Sequence, residues 1–258
     1  MRAGLHACRP LSKRERNLPT PNQTSISNKL LTLLPEADYG RAAPHLTHVA
    51  LPQGTVLSKA GDKIEYVYFL TLGIGSVVAV TPEGHRAEAG LFGWDGYIPS
   101  SAASGTEFSP HDIHIQADAE AYRMDYGVFH TLMDERNFAK VMVRSIEAFS
   151  IQLTYTAISN AIHEINERLA RWLLMCHDRL PGDDIRLTHD YLAVMLAVRR
   201  PSVTTALHVL EGNGFIRSNR GVITIRNRPA MEEFAHDAYG KPEAEYRRLM
   251  KDLFARNS

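Results

Sequence analysis

The chain has 258 residues, enough for one large domain or two modest ones. Hydrophobic residues make up 44% and charged residues 22%, which is ordinary for a globular protein and excludes a wholly disordered one. Lysine plus arginine equals aspartate plus glutamate, at 29 each, so a nucleic-acid partner must be sought in the local distribution of charge. Two cysteines, Cys8 and Cys176, are too few for a disulfide framework or a four-cysteine metal site. With so few cysteines, a reducing cytoplasm is the simplest setting, and because no run of about 18 apolar residues occurs, we expect no membrane span and no membrane partner.

Residues 1–24 combine basic side chains, proline, asparagine and threonine with only isolated apolar residues. Such a composition provides no periodic apolar face that would join a core. We therefore predict a flexible basic N-terminal tail, and the alternative is a basic arm that touches an acidic partner.

Between about residues 45 and 125, short runs of β-favouring residues recur at roughly ten-residue spacing. The clearest runs are 66–70, 76–80, 112–116 and 121–124, and turn signals such as Leu72-Gly73 separate them. This pattern is typical of a small antiparallel barrel or jelly roll. We predict an α+β protein in which residues 25–130 form an antiparallel β-roll sensor domain.

From about residue 127 the hydrophobic period changes from two to about 3.6, which indicates helix. Neither proline nor glycine interrupts residues 128–180, a span longer than an average helix, so we expect at least one break. Five apolar residues recur there at three- and four-residue steps: Phe138, Met142, Ile146, Phe149 and Leu153. This face packs either on its own domain or, as we predict, against its twin in a homodimer, with 131–162 as the dimerisation helix.

Two short helices joined by a tight turn are predicted from residue 188 onwards. Thr188 is a good N-cap for a first helix that extends to residue 196. After an interruption at 197–200, Pro201 suits the first turn of a second helix, which Gly212 ends. Small polar residues near the start of the second helix suit contact with base edges in the major groove. The arrangement is typical of a helix-turn-helix, and we place a DNA-binding domain at 163–228.

Two further β-favouring runs flank the turn residues 219–221, which predicts a hairpin. A hairpin after a helix-turn-helix is a wing, and Arg217 and Arg220 near its tip are positioned to meet phosphate. Between residues 196 and 228, six arginines stand against one acid, Glu211, in a chain whose net charge is zero. A local basic excess of this kind favours a surface that binds duplex DNA.

These residues resemble the Crp/Fnr family of bacterial transcription regulators over roughly residues 28–228. The resemblance is most specific at 166–174, which precedes the helix-turn-helix, and from 187 to 216. It implies a dimer that places the start of each second helix in the major groove of double-stranded DNA, with RNA polymerase as a further partner. Together with the wing and the first-helix cap, it gives these candidate DNA-contacting residues: Thr188, Arg199, Arg200, Ser202, Thr204, Thr205, His208, Arg217 and Arg220.

The helix-turn-helix departs from the family pattern at three positions. Ala197 stands where a glycine often forms the turn. Pro201 and Thr205 stand where the catabolite-activator branch uses glutamate and arginine to recognise bases. We therefore expect this chain to read a different operator.

Cyclic-nucleotide binders of the family hold ribose and phosphate with a Gly-Glu and an Arg-Ser pair, where this chain has Gly96-Tyr97 and His111-Asp112. A neutral imidazole does not replace a bidentate guanidinium, and a neighbouring carboxylate repels phosphate. We therefore expect no cyclic-nucleotide binding and no cofactor, although a cyclic-nucleotide-responsive regulator stays an alternative. The candidate pocket residues for an unidentified small-molecule effector are Trp94, Tyr97, His111 and Asp112.

Another alternative is a cupin-like metal-dependent enzyme or metal sensor fused to a DNA-binding domain. It is suggested by the pairs His45/His48 and His111/His114. On a strand, His-x-x-His spacing places the two rings on opposite faces, which is poor for chelation. We predict neither a metal site nor an enzymatic activity.

Residues 229–258 follow the wing and are predicted to form a C-terminal helical extension. Tyr246, Leu249, Leu253 and Phe254 indicate an amphipathic helix there, which either packs on the protein or contacts a partner.

Overall fold

The structure, a computed structural model, describes residues 20–251 and Leu253. Most of the predicted tail, residues 1–19, and Phe254 lie outside the described residues. Two short helices precede five strands: α1 (Lys29–Leu33), α2 (Glu36–Ala42), β1 (Thr47–Leu51), β2 (Val56–Ser58), β3 (Tyr66–Val80), β4 (Arg86–Phe92) and β5 (Asp112–Asp125).

The five strands form one antiparallel sheet in the order β1-β5-β3-β4, with β2 paired to β5. This confirms the predicted antiparallel sheet domain. The prediction of a turn at Leu72-Gly73 is wrong, because β3 continues through both residues while its pairing register with β5 shifts. Gly73 has a φ of 86°, and a Cβ there would lie 2.6 Å from the Cα of Ala119. The glycine therefore permits a bulge inside one long strand, where the sequence signal resembled a chain reversal.

Three helices follow the sheet: α3 (Tyr126–Leu132), α4 (Arg136–Ile162) and α5 (Ile165–His177). The predicted break is confirmed, and there are two. Asp125 caps α3 by accepting hydrogen bonds from the N–H groups of Gly127 and Val128. At the second break, a capping box of Glu164 and Glu167 begins α5. The two side chains accept hydrogen bonds from backbone N–H groups that would otherwise lack a partner at the start of the helix.

The predicted dimer face of α4 overlaps the side of this helix that packs on the sheet domain. Phe138 and Met142 are 1% and 0% exposed in the chain's own core, which leaves them no surface for a partner and corrects the prediction for both. Phe149 is half-buried against the sheet. Ile146 and Leu153 stay partly accessible, and both line a cavity between α4 and the sheet domain.

The C-terminal part is a winged domain with a three-stranded sheet, in which β8 (Val222–Ile225) lies between β6 (Asp184–Arg186) and β7 (Ile216–Asn219). Its core contains residues of the first sheet, Ile74, Val78 and Leu91, together with Leu169 and Leu173 of α5. The two parts are thus packed through one hydrophobic core. The elements are β6 (Asp184–Arg186), α6 (His189–Met195), α7 (Arg200–Gly212), β7 (Ile216–Asn219), β8 (Val222–Ile225), α8 (Arg228–Ala235) and α9 (Lys241–Lys251).

Glu88 of β4 is buried at the junction between the first sheet and the winged domain. Its carboxylate accepts hydrogen bonds from Nε1 of Trp172 in α5, at 2.7 Å, and from the hydroxyl of Ser76 in β3. Burial raises the pKa of Glu88 to about 7, although both hydrogen bonds act in the opposite direction. The sulfur of Met195, at the end of α6, lies 3.7 Å from the same Ser76 hydroxyl. A polar cluster therefore fixes α5 and α6 on the sheet.

The C-terminal extension returns to the sheet domain. Met231 and Ala235 of α8 lie in the core of the winged domain, whereas Met250 of α9 lies in the core beside α4. The guanidinium of Arg144 in α4 donates a hydrogen bond of 2.6 Å to the carbonyl of Leu249. A cation of α4 thus satisfies the C-terminal end of α9, where the helix dipole is negative.

The turn of the helix-turn-helix contains a strained residue, since Ala197 has a φ of 51°. A residue with a Cβ loses roughly 1–2 kcal/mol in this left-handed conformation, whereas glycine adopts it freely. We expect Ala197→Gly to raise the free energy of unfolding by up to about 1 kcal/mol, after its larger unfolded-state entropy is subtracted. Ala193→Gly in the middle of α6 is the control, and it should lower stability by about 1 kcal/mol. Urea unfolding measures the free energy of unfolding of both variants. An equal loss of stability in the two would show that the backbone at Ala197 is not strained.

The buried Glu88 makes stability depend on pH. Its pKa rises from 4.5 in the unfolded chain to about 7 in the fold, so the unfolded state releases the proton first and stability falls as pH rises across this interval. The full loss, about 3 kcal/mol, is reached above the folded-state pKa. In Glu88→Gln the amide keeps an acceptor for Trp172 and a donor for Ser76 but does not titrate. The part of the pH dependence of stability that Glu88 causes should therefore vanish. Urea unfolding between about pH 4 and about pH 8 tests it, and parallel profiles of the two proteins would refute it.

Candidate DNA-binding surface and sensor cavities

The start of α6 and the turn after it are held by specific hydrogen bonds. Thr188 is exposed, and its hydroxyl accepts a hydrogen bond of 3.2 Å from the N–H of Tyr191. Arg168 of α5 donates to the carbonyl of Leu196, directly before the strained Ala197. The angle between α6 and α7 is thereby tied to α5.

The helix α7 buries one side and exposes the other. Its buried side consists of Val203, Ala206, Leu207 and Leu210. Pro201, Thr205 and His208 are exposed, and the spacing of four and three residues places them on one outer face.

The remaining candidates on α7 differ in their surroundings. Arg199 and Arg200 are exposed at its N-terminus, and Ser202 is half-buried. The Thr204 hydroxyl lies 3.1 Å from Nδ1 of His189, so this side chain turns toward α6. Thr204 thus contacts the neighbouring helix, whereas the Thr205 hydroxyl donates a hydrogen bond of 3.1 Å to the carbonyl of Pro201 within α7.

The wing is a tight hairpin of β7 and β8. Arg220 and Gly221 form its turn with φ values of 44° and 79°, and Arg217 and Arg220 are exposed. A carboxylate oxygen of Glu211, near the end of α7, accepts a hydrogen bond of 2.9 Å from the N–H of Ser218. The one acid of this basic stretch therefore connects the wing to α7.

Arg228 belongs to a different surface from the other five arginines. Its guanidinium donates to Asp178 at 2.6 Å, to Glu232 at 2.7 Å and to the hydroxyl of Tyr239 at 2.7 Å. The basic excess inferred from sequence is corrected accordingly: Arg228 is neutralised by acids between α5 and α8.

The predicted effector residues do not meet in one pocket. Trp94 and Tyr97 line a cavity of about 240 Å³ bounded by the 91–97 segment, α4 and α9, which we call the C-terminal cavity. His111 lines a second cavity of about 240 Å³ between β3, the 98–111 segment and α4, which we call the roll cavity. Asp112 lies in the lining of neither: it accepts a hydrogen bond of 3.0 Å from the N–H of Ala60. The four residues were predicted as a unit, and the structure separates them.

Among the residues that the structure describes, none that lines the roll cavity has a cationic side chain. Val77, Ile98 and Ile113 provide apolar walls, and His111 is its one titratable residue. Burial lowers the pKa of His111, so its imidazole is neutral near pH 7. A cyclic phosphate would find no charge partner there.

The histidines considered as metal ligands have other neighbours. Nε2 of His114 lies 2.8 Å from the guanidinium of Arg86, and burial followed by the Arg86 charge lowers the pKa of this histidine. Nε2 of His48 lies 3.3 Å from a carboxylate oxygen of Glu120. Across residues 20–251 and Leu253, no group of three or more His, Cys, Asp or Glu is arranged to hold a metal ion.

The sequence reasoning missed the importance of Glu88. A period-two pattern does not reveal it, because the register of β4 against β3 shifts between Glu88 and Gly90. Glu88 therefore faces the junction with Leu91 and Trp172, whereas Phe92 faces the core inside the sheet domain.

Within the described residues, no helix combines the length and the apolar character that a membrane crossing requires.

Two family models match this sequence. A cyclic nucleotide-binding domain matches residues 48–136, and a Crp-like helix-turn-helix domain matches residues 167–234. The comparison with curated proteins found no match.

Several solved structures share the fold. A Crp/Fnr-family transcriptional regulator from Eubacterium rectale has a TM-score of 0.62 at 16% identity, covering 80% of this chain and 97% of that one. FixK2 from Bradyrhizobium japonicum has a TM-score of 0.62 at 16% identity, with 73% and 96% covered. A CRP-family transcriptional regulator from Thermus thermophilus has a TM-score of 0.62 at 19% identity, with 72% and 96% covered.

The family models together match more than half of the chain, one on the sheet domain and the other on the winged domain. The architecture agrees with the regulators of similar fold. This protein belongs to the Crp/Fnr family of DNA-binding transcription regulators.

Proposed function

We propose that this protein is a homodimer that binds double-stranded DNA sequence-specifically and so regulates transcription. The observation that carries this proposal is the outer face of α7, which presents Thr205 and His208 beside an N-terminus with Arg199 and Arg200. A helix with small polar side chains outward fits the major groove, and two-fold symmetry repeats it at a second half-site.

The exposed residues divide by chemistry. We assign Arg199, Arg200, Arg217 and Arg220 to phosphates, because guanidinium groups bind phosphate oxygens strongly and without sequence preference. We assign Ser202, Thr205 and His208 to base edges. Thr188 uses an oxygen lone pair as a helix cap and keeps its O–H for a phosphate, whereas Thr204 serves the packing of α6 on α7.

An uncharged stripe along α4, which borders the roll cavity at Ile146, Ser150 and Leu153, supports dimerisation. Val143 is 53% exposed, and Ala157 is exposed as well. The stripe repeats at steps of three and four residues: Ala139, Val143, Ile146, Ser150, Leu153, Ala157 and Ala161. This spacing is that of a coiled-coil seam, and the stripe contains no charged side chain to oppose a twin helix.

These assignments give each segment of the chain a separate role. Residues 25–130 act as the sensor, 131–162 as the dimerisation helix and 163–228 as the DNA-binding domain, while 229–258 pack across them. The roll cavity has no cation for a cyclic phosphate, which supports a regulator that does not respond to cyclic nucleotides. A ligand that favours one dimer geometry would shift the population of DNA-binding conformers.

Thr205→Ala and Arg220→Ala separate base reading from phosphate binding. Fluorescence anisotropy would compare a DNA fragment selected by the protein with a scrambled fragment over a range of salt concentrations. Thr205→Ala should reduce the preference for the selected fragment by about 1–3 kcal/mol at an unchanged salt slope. Arg220→Ala should weaken both fragments equally and flatten the slope of log K against log salt by about 0.9 per phosphate, counted twice in a dimer. Arg248→Ala on α9 is the control, and wild-type behaviour of the other two variants would refute the assignment.

Ala157→Asp tests the seam on α4. Ala157 is exposed in one subunit, so the substitution should leave the fold intact while two carboxylates oppose each other across the two-fold axis. We expect sedimentation to show a monomer and DNA affinity to fall by at least tenfold, because one half-site alone remains. Thr131→Asp on the exposed side of α3 is the control. A dimer of unchanged stability in Ala157→Asp would rule out this seam.

A further inference from the structure

The C-terminal cavity is closed by an element outside both matched family domains. Its walls are the 91–97 segment of the sheet domain, α4, the end of α5 and the helix α9. Apolar and aromatic side chains line it: Leu91, Phe92, Trp94, Ala148, Phe149 and Pro242. A concave site with such walls suits the body of an organic molecule.

Two polar side chains of α4 lie in this lining without a full set of partners. Ser145 is 7% exposed, and its hydroxyl has no hydrogen bond within the described part of the chain. Gln152 is 6% exposed: its Oε1 accepts from the N–H of Leu91 at 2.8 Å, while its Nε2 has no partner among the described residues. The two residues are seven positions apart and so share one face of α4. Neither donor atom is sealed in the core: both are accessible from the cavity, where a ligand oxygen would accept hydrogen bonds from them.

The charged side chains that line the cavity differ in whether they have a partner within the protein. Each carboxylate in the lining is engaged. Asp95 accepts two hydrogen bonds from Arg179, of 3.1 and 2.6 Å; Asp178 accepts from Arg228 at 2.6 Å; and Glu243 accepts from the N–H of Gly240 at 2.9 Å.

Two lining cations have no such partner. Lys29 and Arg247 are exposed at the mouth, and within residues 20–251 and Leu253 neither forms an ion pair. The ammonium of Lys29 lies 4.4 Å from the centroid of the Trp94 ring. An anionic group at the mouth would meet two available cations, while Asp95 and Asp178 are paired with arginines and Glu243 accepts from the backbone at the start of α9.

We propose that the C-terminal cavity binds an amphipathic organic anion: an aromatic or short acyl body between Phe92, Trp94 and Phe149, with its carboxylate at Lys29 and Arg247. This inference rests on the proposed function, for which it names the class of effector.

Occupancy of the cavity is connected to the DNA-binding domain through Asp95 and Arg179. Asp95 lies in the sheet-domain segment, and Arg179, which follows α5, is 7% exposed and bound to it. The hydroxyl of Tyr246 in α9 donates to the carbonyl of Asp95 at 2.9 Å. A ligand in the cavity therefore touches sheet domain, winged domain and α9 together, and it favours the dimer geometry in which all three surround it.

The binding test uses a matched pair of probes, 2-naphthoate and its neutral isostere 2-naphthamide. Calorimetry on the full chain without DNA should show naphthoate binding about tenfold more tightly than naphthamide. Lys29→Gln and Arg247→Gln should each weaken naphthoate about three- to tenfold and leave naphthamide unchanged. Arg248→Gln, on the same helix but paired with Glu245, is the control and should change neither.

The outcomes test the anion site, its role as an effector site and the proposed function separately. Equal affinity for both probes, or no naphthoate binding at millimolar concentration, would overturn the anion site whatever the protein does with DNA. If naphthoate binds as expected, saturating it should change the dissociation constant of the selected DNA fragment at least threefold. Binding without such a change would overturn the effector role, and failure to bind any DNA with naphthoate bound would overturn the proposed function alone.

Discussion

The burial of Glu88 between two parts of the chain is the constraint on which the rest of the structure depends. A carboxylate removed from water must be hydrogen-bonded, and its donors come from the sheet, through Ser76, and from α5, through Trp172. Any shift of α5 along β4 would break these bonds inside an apolar core. Because Arg168 of α5 also binds the helix-turn-helix turn at Leu196, the direction of α7 follows from where the sheet holds α5.

The two sides of α4 serve different neighbours. One side is filled by the sheet domain and by α9, whose Leu249 carbonyl accepts a hydrogen bond from Arg144. The opposite side presents the uncharged stripe that contains Val143 and Ala157. A displacement of α9 would therefore act on α4, the helix that would form the dimer interface. Through α4, the C-terminal extension would change the distance between the two α7 helices of the dimer.

Local signals predicted what depends on neighbouring residues in the sequence. The cap at Thr188, the start at Pro201 and the turn at Arg220-Gly221 were all readable, since each is decided within a few residues. Contacts between distant segments were not readable. Leu72-Gly73 has the composition of a turn but is held in β3 by pairing with β5. Trp94 and His111 line two separate cavities, which meet at Ser100 and Phe149.

The geometry of the wing tip has a consequence for the thermodynamics of association. A two-residue reversal with Arg220 itself at positive φ is the shortest connection that two antiparallel strands allow, and Glu211 secures its base through Ser218. The backbone that carries the tip arginine is therefore already ordered before a duplex arrives. Little main-chain freedom is lost on contact, so this positive charge contributes to affinity with a smaller entropic penalty than the same residue on a long loop.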